Sequence, residues 1–431
     1  MSDKIQCLII GPGMITETEI LPAIYQLQRI GVISEIKIVG TRATSIKALA
    51  DNPTLKTAFP SQSFTGYPDH KKSAGSGKTS VRKAASQPDL YKEVLAALPP
   101  RQLVVVALPD QIHFEVIKEV LKHDQHVLTV KPFVLKYEQS VELEKMARER
   151  GLLVGIEYHK RLDDRALMAR RRYLMGQFGD FRVGQAHLVE KYYYMRSNFQ
   201  NWCTCENSDA FTYIGCHFVD LTAFITGLKP TGVTVHSKAE PWPNGNLGYL
   251  WTSAQVDWEN GATLNLLNGF GYPEEGAGGN TQGIVLHTAG KDAAGLISHS
   301  DQFRGVKHSI LKKGTSPGNT AYMEPNPDFF QMIDKGGEGL TPVGYGYRTI
   351  ENITKQALRI NQETEGLDEK KALAKRKEIV TAIDREGIVA TPANSSYNVL
   401  VSEAGRLSIT NNGRPVTIEY GKNPRVKFKE F

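Results

Sequence analysis

Short apolar runs alternate with amphipathic segments through the first part of the chain. The runs are rich in β-branched residues, which favours buried strands over residues 5–10, 36–40, 103–108 and 126–130. Segments with apolar residues at helical spacing separate them, for example residues 112–121. Buried strands that alternate with helices predict a parallel sheet whose strands all end at one edge.

The pattern changes after Gly155 to longer stretches in which apolar and polar residues alternate. These stretches predict further strands over residues 181–194, 231–238, 249–258, 262–270 and 283–287. The sequence therefore predicts an α/β Rossmann-like N-terminal domain, residues 1–155. An α+β C-terminal domain, residues 156–431, would be built on a large, mainly antiparallel open sheet.

Two segments depart from this plan. Residues 60–88 are dominated by Ser, Gly, Lys and Pro, which predicts a solvated surface insertion. A C-terminal extension begins at about residue 366 with a charged helix over 367–386. An ordered polar loop is expected over 391–398, and the alternating tail 406–431 has a hairpin signal at Asn411-Asn412-Gly413.

Composition restricts the class of protein. The chain of 431 residues has 40% hydrophobic and 23% charged residues, which is typical of two globular domains, and a net charge of only +6. Nucleic acid is an unfavourable partner because no basic tract is interleaved with aromatic residues. No apolar run approaches the about 20 residues that span a bilayer. The N-terminal pattern is not that of a signal peptide, so we expect a cytoplasmic protein without a membrane partner.

The cysteines agree with a reducing compartment. Cys203 and Cys205 are too close together for a disulfide framework, and Cys7 and Cys216 do not complete a zinc site with them. We therefore expect no metal.

A glycine turn after the first strand predicts a dinucleotide site. Gly11 permits a tight turn, and Gly13 allows the backbone to approach a pyrophosphate at the start of the following helix, near Met14 and Ile15. Thr16 replaces the third glycine of this fingerprint, which weakens the match.

The end of the second strand bears on the choice of cofactor. NAD sites usually have an acidic residue there, but this chain has Thr41 followed by Arg42. Arg42 would suit a 2′-phosphate, which favours NADP slightly over NAD. Alternatively, Arg42 is a solvated residue at a helix start.

Lys131 directly follows the strand over residues 126–130 and precedes Pro132. Pro132 ends the strand because it lacks an amide hydrogen. Since ligands of doubly wound sheets bind beyond the carboxyl ends of the strands, we expect Lys131 to face a ligand. An ordinary solvated lysine at a strand end is the alternative.

Several motifs together resemble the Gfo/Idh/MocA oxidoreductases, the glucose–fructose oxidoreductase and inositol dehydrogenase family, over roughly residues 4–365. The motifs are Leu108-Pro109-Asp110 with His113, Val130-Lys131-Pro132, Tyr158-His159-Lys160-Arg161-Leu162-Asp163, Ile214-Gly215-Cys216-His217-Phe218-Val219-Asp220 and Gly346-Tyr347-Arg348-Thr349-Ile350-Glu351. This chain departs from the family pattern at Val130, which is usually Glu, and at Tyr213, which is usually Asp.

The resemblance implies a catalytic set of Lys131, His217 and Tyr213. His217 would take the proton of a substrate hydroxyl while hydride leaves the same carbon, and Lys131 would stabilise the developing charge. Tyr213 lies four residues before His217, so both would share one helix face. It would either join the proton transfer or only pack, and a structural histidine is the alternative for His217.

Further contacts follow from the same resemblance and from the aromatic cluster after residue 190, which suits a sugar ring but would also suit a core or an interface. The cofactor residues are Gly11, Gly13, Met14, Ile15, Thr41, Arg42, Leu108, Pro109, Asp110, His113, Lys131 and His159. The substrate residues are Lys131, Tyr158, Arg161, Tyr192, Trp202, Tyr213 and His217.

Three functions remain open. The first is an NAD(P)-dependent oxidoreductase that acts on a hydroxyl of a sugar, glycoside or cyclitol, with NAD or NADP as cofactor. The second is a redox-neutral glycosidase or epimerase that uses tightly bound NAD, and the altered residue at Tyr213 keeps it open. The third is a sugar-sensing protein without catalysis. The family resemblance also implies a homodimer or homotetramer.

Overall fold

The structure is a computed structural model that describes residues 4–69, 86–276, 278–300, 309–311, 320–322 and 328–430. The chain forms two compact units. The first unit comprises the described residues within 1–133, 139–159 and 330–394, and the second those within 134–138, 160–329 and 395–431. The domain boundary predicted at residue 155 stays a prediction.

The first unit is built on a parallel sheet of six strands. These strands are β1 (Ile5–Ile10), β2 (Ile33–Val39), β3 (Thr65–Tyr67), β4 (Leu103–Val106), β5 (His126–Thr129) and β6 (Val154–Ile156). Their order across the sheet is β3-β2-β1-β4-β5-β6. The connections switch sides between β1 and β4, which is where a doubly wound sheet binds a dinucleotide.

Helices cover both faces of this sheet. They are α1 (Leu21–Arg29), α2 (Ala43–Ala50), α3 (Pro53–Ala58), α4 (Leu90–Ala96), α5 (His113–Lys122), α6 (Tyr137–Arg150), α9 (Tyr345–Thr364), α10 (Glu369–Glu386) and α11 (Pro392–Ser395). A small hairpin, β17 (Gln331–Ile333) with β18 (Thr341–Val343), lies beside them. Helix α9 buries Ile350, Ile353 and Ala357 in the same core as β1 and β4. The late segment of the chain therefore completes the first unit.

Strand β3 lies inside the segment that the sequence predicted as a solvated insertion. It pairs with β2 from Lys37–Thr65 to Val39–Tyr67 and forms the edge of the sheet. A three-residue edge strand is too short to show an apolar period, which is why the sequence pattern missed it. Residues 70–85 of the predicted insertion lie outside the described residues.

The second unit is built on an eight-stranded sheet. Its strands are β7 (Asp180–Lys191), β8 (Pro230–Ser237), β11 (Trp251–Trp258), β12 (Thr263–Tyr272), β13 (Asn280–Ala289), β14 (Ala294–His299), β19 (Val416–Glu419) and β20 (Arg425–Phe428). The order is β14-β13-β7-β12-β11-β8-β19-β20, and only β7 with β12 is a parallel pair. The predicted fold class, with a large, mainly antiparallel sheet in the C-terminal part, is confirmed.

Smaller elements complete the second unit. They are α7 (Asp164–Leu174), α8 (Cys216–Thr226), α12 (Tyr397–Ile409) and two hairpins, β9 (Glu240–Pro241) with β10 (Leu247–Gly248) and β15 (Ser309–Leu311) with β16 (Thr320–Tyr322). Helix α12 packs against β8, β19 and β20 of the eight-stranded sheet, and the buried helix α8 packs against α7 and α12. Among the described residues, none of the helices has the length and apolar character of a membrane-spanning segment.

The predicted polar loop over residues 391–398 is wrong. Pro392–Ser395 forms α11, and α12 begins at Tyr397. The Asn-rich sequence and the β-branched Val399 and Val401 argue against a helix locally. Both valines are buried, and the packing of α12 against β8 and β19 overrides that preference.

The predicted C-terminal hairpin exists, but its turn is elsewhere. Asn412 and Gly413 have φ angles of 56° and 77°, and the Gly413 amide donates to the Ser408 carbonyl at 2.9 Å. They terminate α12 in the left-handed conformation that commonly ends helices. The hairpin turn instead joins β19 to β20, where Glu419 pairs with Arg425.

Candidate active site

The glycine turn after β1 has the conformation that its sequence predicts. Gly11 has a φ of +108°, and a Cβ there would lie 2.1 Å from the Ala107 carbonyl oxygen, so only glycine fits. Gly13 is exposed, and a Cβ on it would meet nothing within 4 Å. The backbone at Gly13 is therefore open to a ligand, which fits a dinucleotide.

Thr16 replaces a glycine without opening the turn. Its buried hydroxyl donates to the Gly11 carbonyl at 2.6 Å, so Thr16 fastens the helix start to the turn. Residues Thr16–Ile20 form a π-helical turn that continues into α1, a local widening that is frequent at functional sites. Met14 and Ile15 are half-buried at the start of this helix.

His113 holds the two strand-end turns after β4 and β5. Its Nε2 lies 2.8 Å from the Leu108 carbonyl oxygen, and its Nδ1 lies 2.9 Å from that of Pro132. The ring is fully buried and contacts backbone, and a cofactor contact by His113 stays a prediction. Leu108 and Pro109 are half-buried beside it.

The charged residues of these turns differ in exposure. Asp110 is buried at the start of a short 3₁₀ turn, Asp110–Ile112. At the end of β2, Thr41 and Arg42 are both exposed, and the Thr41 carbonyl accepts a hydrogen bond from Gln87 N at 2.8 Å. Arg42 is therefore accessible to a ligand at this edge, as a 2′-phosphate contact would require.

Lys131 lies at the same edge of the sheet and is only 9% exposed. Thr129 at the end of β5 is in register with Val106 and with Ile156, so the residues that follow these strands are neighbours. Glu157 directly follows β6, and its carboxyl group interacts electrostatically with the charge of Lys131. The lysine is thus a buried cation with an acidic neighbour, not a solvated one.

Two glutamates that the sequence analysis did not single out face each other here. Glu19 and Glu157 are each 3% exposed, and a carboxyl oxygen of one lies within 4.8 Å of a carboxyl oxygen of the other. Burial raises the pKa of Glu157 to about 8 although the Lys131 charge lowers it. Burial and then the Glu157 charge raise the pKa of Glu19 well above its usual value.

His159 completes this cluster. Its Nδ1 lies 2.6 Å from Glu157 Oε1, and its ring stacks on Tyr345 with the centroids 5.5 Å apart. Within the part of the chain that the structure describes, Glu19, Glu157 and His159 are the one set of side chains close enough together to hold a metal ion. The predicted cofactor residue His159 is thus engaged by a carboxylate, and Tyr158 beside it is buried.

In the second unit, Tyr213 and His217 lie on one helical segment. Residues Phe211–Gly215 are π-helical and continue directly into α8. A spacing of four residues is about one turn of an α-helix or of a π-helix, which is compatible with a shared face. That Tyr213 and His217 share a face stays a prediction. His217 is 7% exposed, and a Cβ on Gly215 would lie 2.9 Å from Asn268 Oδ1 on the sheet below.

Aromatic rings enclose Tyr213. The centroids of Phe199, Trp202 and Phe270 lie 4.8, 5.8 and 6.5 Å from its ring. Trp202 is buried in this cluster, whereas Tyr192 is 43% exposed with Arg196 over its ring. Of the predicted sugar-binding aromatics, the structure therefore brings Trp202 to Tyr213 and places Tyr192 on the surface.

Arg161 forms a buried ion pair with Asp220. Its guanidinium, 2% exposed, donates to Asp220 through Nε at 2.8 Å and through Nη2 at 2.6 Å. Asp220 also accepts from Tyr397 at 2.9 Å and from Asn398 at 3.0 Å. The Nε and Nη2 donors of Arg161 are thus used within the protein, and its role in substrate binding stays a prediction.

Comparison with known proteins assigns the N-terminal part. Residues 5–158 match the family model described as "Oxidoreductase family, NAD-binding Rossmann fold". These residues belong to the Gfo/Idh/MocA oxidoreductase family. The glycine turn and Lys131 thus lie in the NAD-binding domain of this family, and the family predicted from the sequence motifs is confirmed.

Relatives with this domain share modest identity with the chain. An uncharacterised oxidoreductase of Schizosaccharomyces pombe is 28% identical over 192 residues, which is 44% of this chain and 50% of the relative. The scyllo-inositol 2-dehydrogenase (NADP(+)) of Bacillus subtilis is 26% identical over 270 residues, 61% of this chain and 70% of that enzyme. The chain thus spans about half the length of the first of these relatives.

Solved structures share the fold over nearly the whole chain. The myo-inositol 2-dehydrogenase of Lactobacillus plantarum has a TM-score of 0.59 at 14% identity, covering 96% of this chain and 100% of that one. The scyllo-inositol dehydrogenase of Lactobacillus casei, solved with NAD(H) and scyllo-inositol, has a TM-score of 0.57 at 14% identity and covers 96% and 99%. The parallel sheet of the first unit and the large sheet of the second therefore occur together in known folds.

Proposed function

We propose that this chain is an NAD(P)-dependent dehydrogenase that oxidises a secondary hydroxyl of a cyclitol, sugar or glycoside. One observation carries the proposal. The buried Lys131 lies at the edge of the parallel sheet where the strands end, and the open glycine turn of the NAD-binding domain lies at the same edge. A bound nicotinamide dinucleotide supplies the hydride acceptor. The inositol dehydrogenases among the relatives and similar folds support a polyhydroxylated ring as substrate.

Each side chain has a definite task in this proposal. Gly11 forms the tight turn, and Gly13 leaves room for the pyrophosphate near the start of the π-helical turn. Lys131 donates to the substrate hydroxyl and stabilises the negative charge that develops on its oxygen. His217 accepts the hydroxyl proton as general base. His113 acts indirectly, because its ring contacts the backbone carbonyls of the two turns at the ligand edge and so fixes their positions.

The experiment is a steady-state assay of inositol isomers and sugars with NAD or NADP, together with calorimetric titration of each dinucleotide. His217→Ala should lower kcat by about 10²–10⁴-fold with dinucleotide affinity intact, and Lys131→Met should lower kcat by a similar factor and also weaken substrate binding. Lys122→Met and His123→Ala, on the surface near the end of α5, are matched controls that should keep wild-type turnover. Binding of neither dinucleotide would remove the proposal.

For the cofactor we propose a slight preference for NADP. The exposed Arg42 beside Thr41, with no carboxylate at either position, supports this choice. Arg42→Asp should reverse the preference because it opposes the 2′-phosphate with like charge. Equal affinities for both dinucleotides, unchanged in the variant, would refute the preference and leave the dehydrogenase proposal intact.

A second candidate is a redox-neutral glycosidase or epimerase with tightly bound NAD. The observation that favours it is Tyr213, an enclosed tyrosine where the family pattern has a carboxylate. The same assay separates the two candidates. Product without net formation of reduced cofactor would identify redox-neutral chemistry, whereas reduced cofactor in proportion to product would identify a dehydrogenase.

We also propose that the chain assembles as a homodimer or homotetramer through the uncovered face of the eight-stranded sheet. Val183, Leu267 and Leu296 are large apolar residues exposed on three of its strands. Large apolar patches of this kind often mark protein contacts. Sedimentation of wild type and of Leu267→Lys tests the proposal, since the charge should shift the population to monomers.

A further inference from the structure

Helix α12 lies alongside the helical segment that carries Tyr213 and His217. This segment, which we call the His217 helix, comprises the π-helical Phe211–Gly215 and α8, Cys216–Thr226. Helix α12 belongs to the C-terminal extension, and the proposed hydride transfer assigns it no task. Three sets of contacts nevertheless join α12 to the start, the body and the far part of the His217 helix.

The first contact is at the start of the His217 helix, where Asp209 is fully buried. Its carboxylate accepts hydrogen bonds from the Thr212 amide at 2.8 Å and from the Thr212 hydroxyl at 3.0 Å, and its carbonyl accepts from the Tyr213 amide at 2.9 Å. Arg406 of α12 supplies the counter-charge, with Nη1 3.4 Å from Asp209 Oδ2, and its Nη2 donates to the Cys205 carbonyl. Arg406 therefore anchors the residue that caps the turn bearing Tyr213.

The second contact is a close approach of the two helices at Gly405. A Cβ on Gly405 would lie 2.5 Å from Cδ1 and from Cε1 of the Phe211 ring, nearer than real side chains approach. At the opposite edge of this ring, a Cβ on Gly215 would lie 2.9 Å from Cδ2. The ring is thus enclosed between two glycines, and Phe211 is only 1% exposed. Glycine within a helix is less favourable than alanine, and the room that Phe211 needs accounts for it at position 405.

The third contact is at Asp220, which follows His217 in α8. Asp220 Oδ1 accepts from the Tyr397 hydroxyl at 2.9 Å and from Asn398 Nδ2 at 3.0 Å. Asp220 and Asn398 are each 1% exposed, so water does not compete for these bonds. The first turn of α12 therefore holds the His217 helix on the far side of His217.

The order of the contacts shows how the two helices run. Along α12 the contacts follow the order Asn398, Gly405, Arg406, whereas their partners follow the reverse order along the His217 helix. The two helices are therefore antiparallel neighbours. Asn398 and Gly405 are seven residues apart, about two helical turns, so they lie on one stripe of α12. Polar contacts at both ends and a tight contact between them restrict sliding and rotation of the His217 helix.

We propose that Asn398, Gly405 and Arg406 of α12 are positioning residues that set the orientation of Tyr213 and His217 in the site. They act through the His217 helix and not on the substrate itself. A displacement of about 1 Å in a catalytic group can lower a rate by about 10²-fold, so even a small shift of the His217 helix is measurable. The effect on turnover rests on the proposed dehydrogenase function.

Gly405→Ala is the first test, because its methyl group must displace Phe211. We expect kcat to fall by about 10²-fold with dinucleotide affinity unchanged. Arg406→Met should also lower kcat, and Arg406→Lys should restore part of it because it keeps a positive charge beside Asp209. Gly279→Ala is the matched control, since this glycine is exposed and a Cβ on it would meet nothing within 4 Å, and it should keep wild-type turnover.

A second control separates positioning from a loss of stability. Val416→Ala removes buried volume from β19, which also packs against α12, so it should lower the melting temperature and keep the wild-type kcat per folded enzyme. Gly405→Ala and Arg406→Met should instead lose kcat per folded enzyme. If Gly405→Ala does not fold, Arg406→Met and Asn398→Leu provide the same readout. Wild-type kcat in the folded α12 variants would show that the proposal is wrong.

Imidazole NMR tests the positioning without a substrate. In protein labelled only in the histidine side chains, the His217 resonance is the one that disappears in His217→Ala. It should shift or broaden in Gly405→Ala and Arg406→Met and remain in place in Gly279→Ala and Val416→Ala. A His217 resonance that stays in place in both α12 variants would overturn the proposal. If the resonance moves but the wild-type protein oxidises no alcohol with either dinucleotide, the positioning is supported and the proposed function fails.

Discussion

At the scale of single residues, substitution of Tyr213 distinguishes the two proposed chemistries. Its ring is packed among Phe199, Trp202 and Phe270, and phenylalanine would keep those contacts. We therefore expect Tyr213→Phe to cost less than about 1 kcal/mol of transition-state stabilisation, roughly fivefold in kcat/KM. Tyr192→Phe, on the surface, is the control. A loss comparable to that of His217→Ala would show that the Tyr213 hydroxyl takes part in proton transfer.

His126 makes the stability of the first unit dependent on pH. Burial lowers its pKa from 6.5 to about 4, and its ring accepts from the Leu153 amide at 3.0 Å. As pH falls from 6.5 towards 4, the unfolded chain binds a proton that the folded chain does not. The free energy of unfolding should therefore decrease over this window, by on the order of 3 kcal/mol.

Urea unfolding between pH 4 and pH 7 measures this effect. His126→Gln should have a flatter profile than wild type because the titrating group is gone, whatever its stability at pH 7. His287→Gln, exposed on β13, is the control and should keep the wild-type slope. Equal slopes for wild type and His126→Gln would contradict the prediction.

The position of some residues in the fold could be predicted from the sequence, and that of others could not. Gly11 and Lys131 follow buried strands directly, so a local pattern places them at the ligand edge. Glu19 and Glu157 gave no such signal, because an isolated glutamate is ordinarily solvated and their burial depends on segments far apart in sequence. The ion pair of Arg161 with Asp220 also gave no sequence signal, because the two residues are close only after folding.

At the scale of elements, the network around Asp220 joins helix α8 to helix α12. Asp220 lies one turn after His217 and accepts from Arg161, Tyr397 and Asn398. Asp220→Asn leaves the buried guanidinium of Arg161 without its counter-charge, so we expect a loss of about 3–5 kcal/mol in the free energy of unfolding.

The control is the exposed pair formed by Arg182 and Asp180. Asp180→Asn should change the free energy of unfolding by less than about 1 kcal/mol. A double variant, Arg161→Met with Asp220→Leu, should be more stable than Asp220→Asn, because it buries no unpaired charge. A small effect of Asp220→Asn, equal to that of Asp180→Asn, would show that the buried pair contributes little.

Elements with a strong period were predictable, and short or context-dependent ones were not. Helix α5 (113–122) is shifted by one residue from the predicted segment 112–121, and the strands β1, β4 and β5 lie inside the predicted runs. Strand β3 has only three residues, so no period could identify it. Helix α12 is stabilised by tertiary packing that local propensity does not report.

At the scale of the whole molecule, residues late in the sequence belong to the first unit. They follow most of the residues of the second unit. Residues 330–394 supply helices α9 and α10, whose Ile350, Ile353 and Ile383 lie in the core of the parallel sheet. A fragment of residues 1–159 alone should therefore expose this core and aggregate, or lack cooperative unfolding.

Coexpression with residues 330–394 should restore a soluble fragment with a cooperative unfolding transition. Size-exclusion chromatography and circular dichroism measure both outcomes. A version of residues 330–394 with Ile350→Asp and Ile353→Asp is the matched control and should fail to rescue. Cooperative unfolding of residues 1–159 alone, at the denaturant midpoint of the rescued pair, would show that the late helices are dispensable.

Because residues 330–394 come late in the sequence, the ribosome synthesises them well after the rest of the first unit. The first 159 residues emerge long before the helices that cover their core. At about 5–20 residues per second, the delay is on the order of 10–50 s. During that interval the nascent nucleotide-binding sheet presents uncovered apolar surface, so its yield in the cell should depend on chaperones that bind nascent chains.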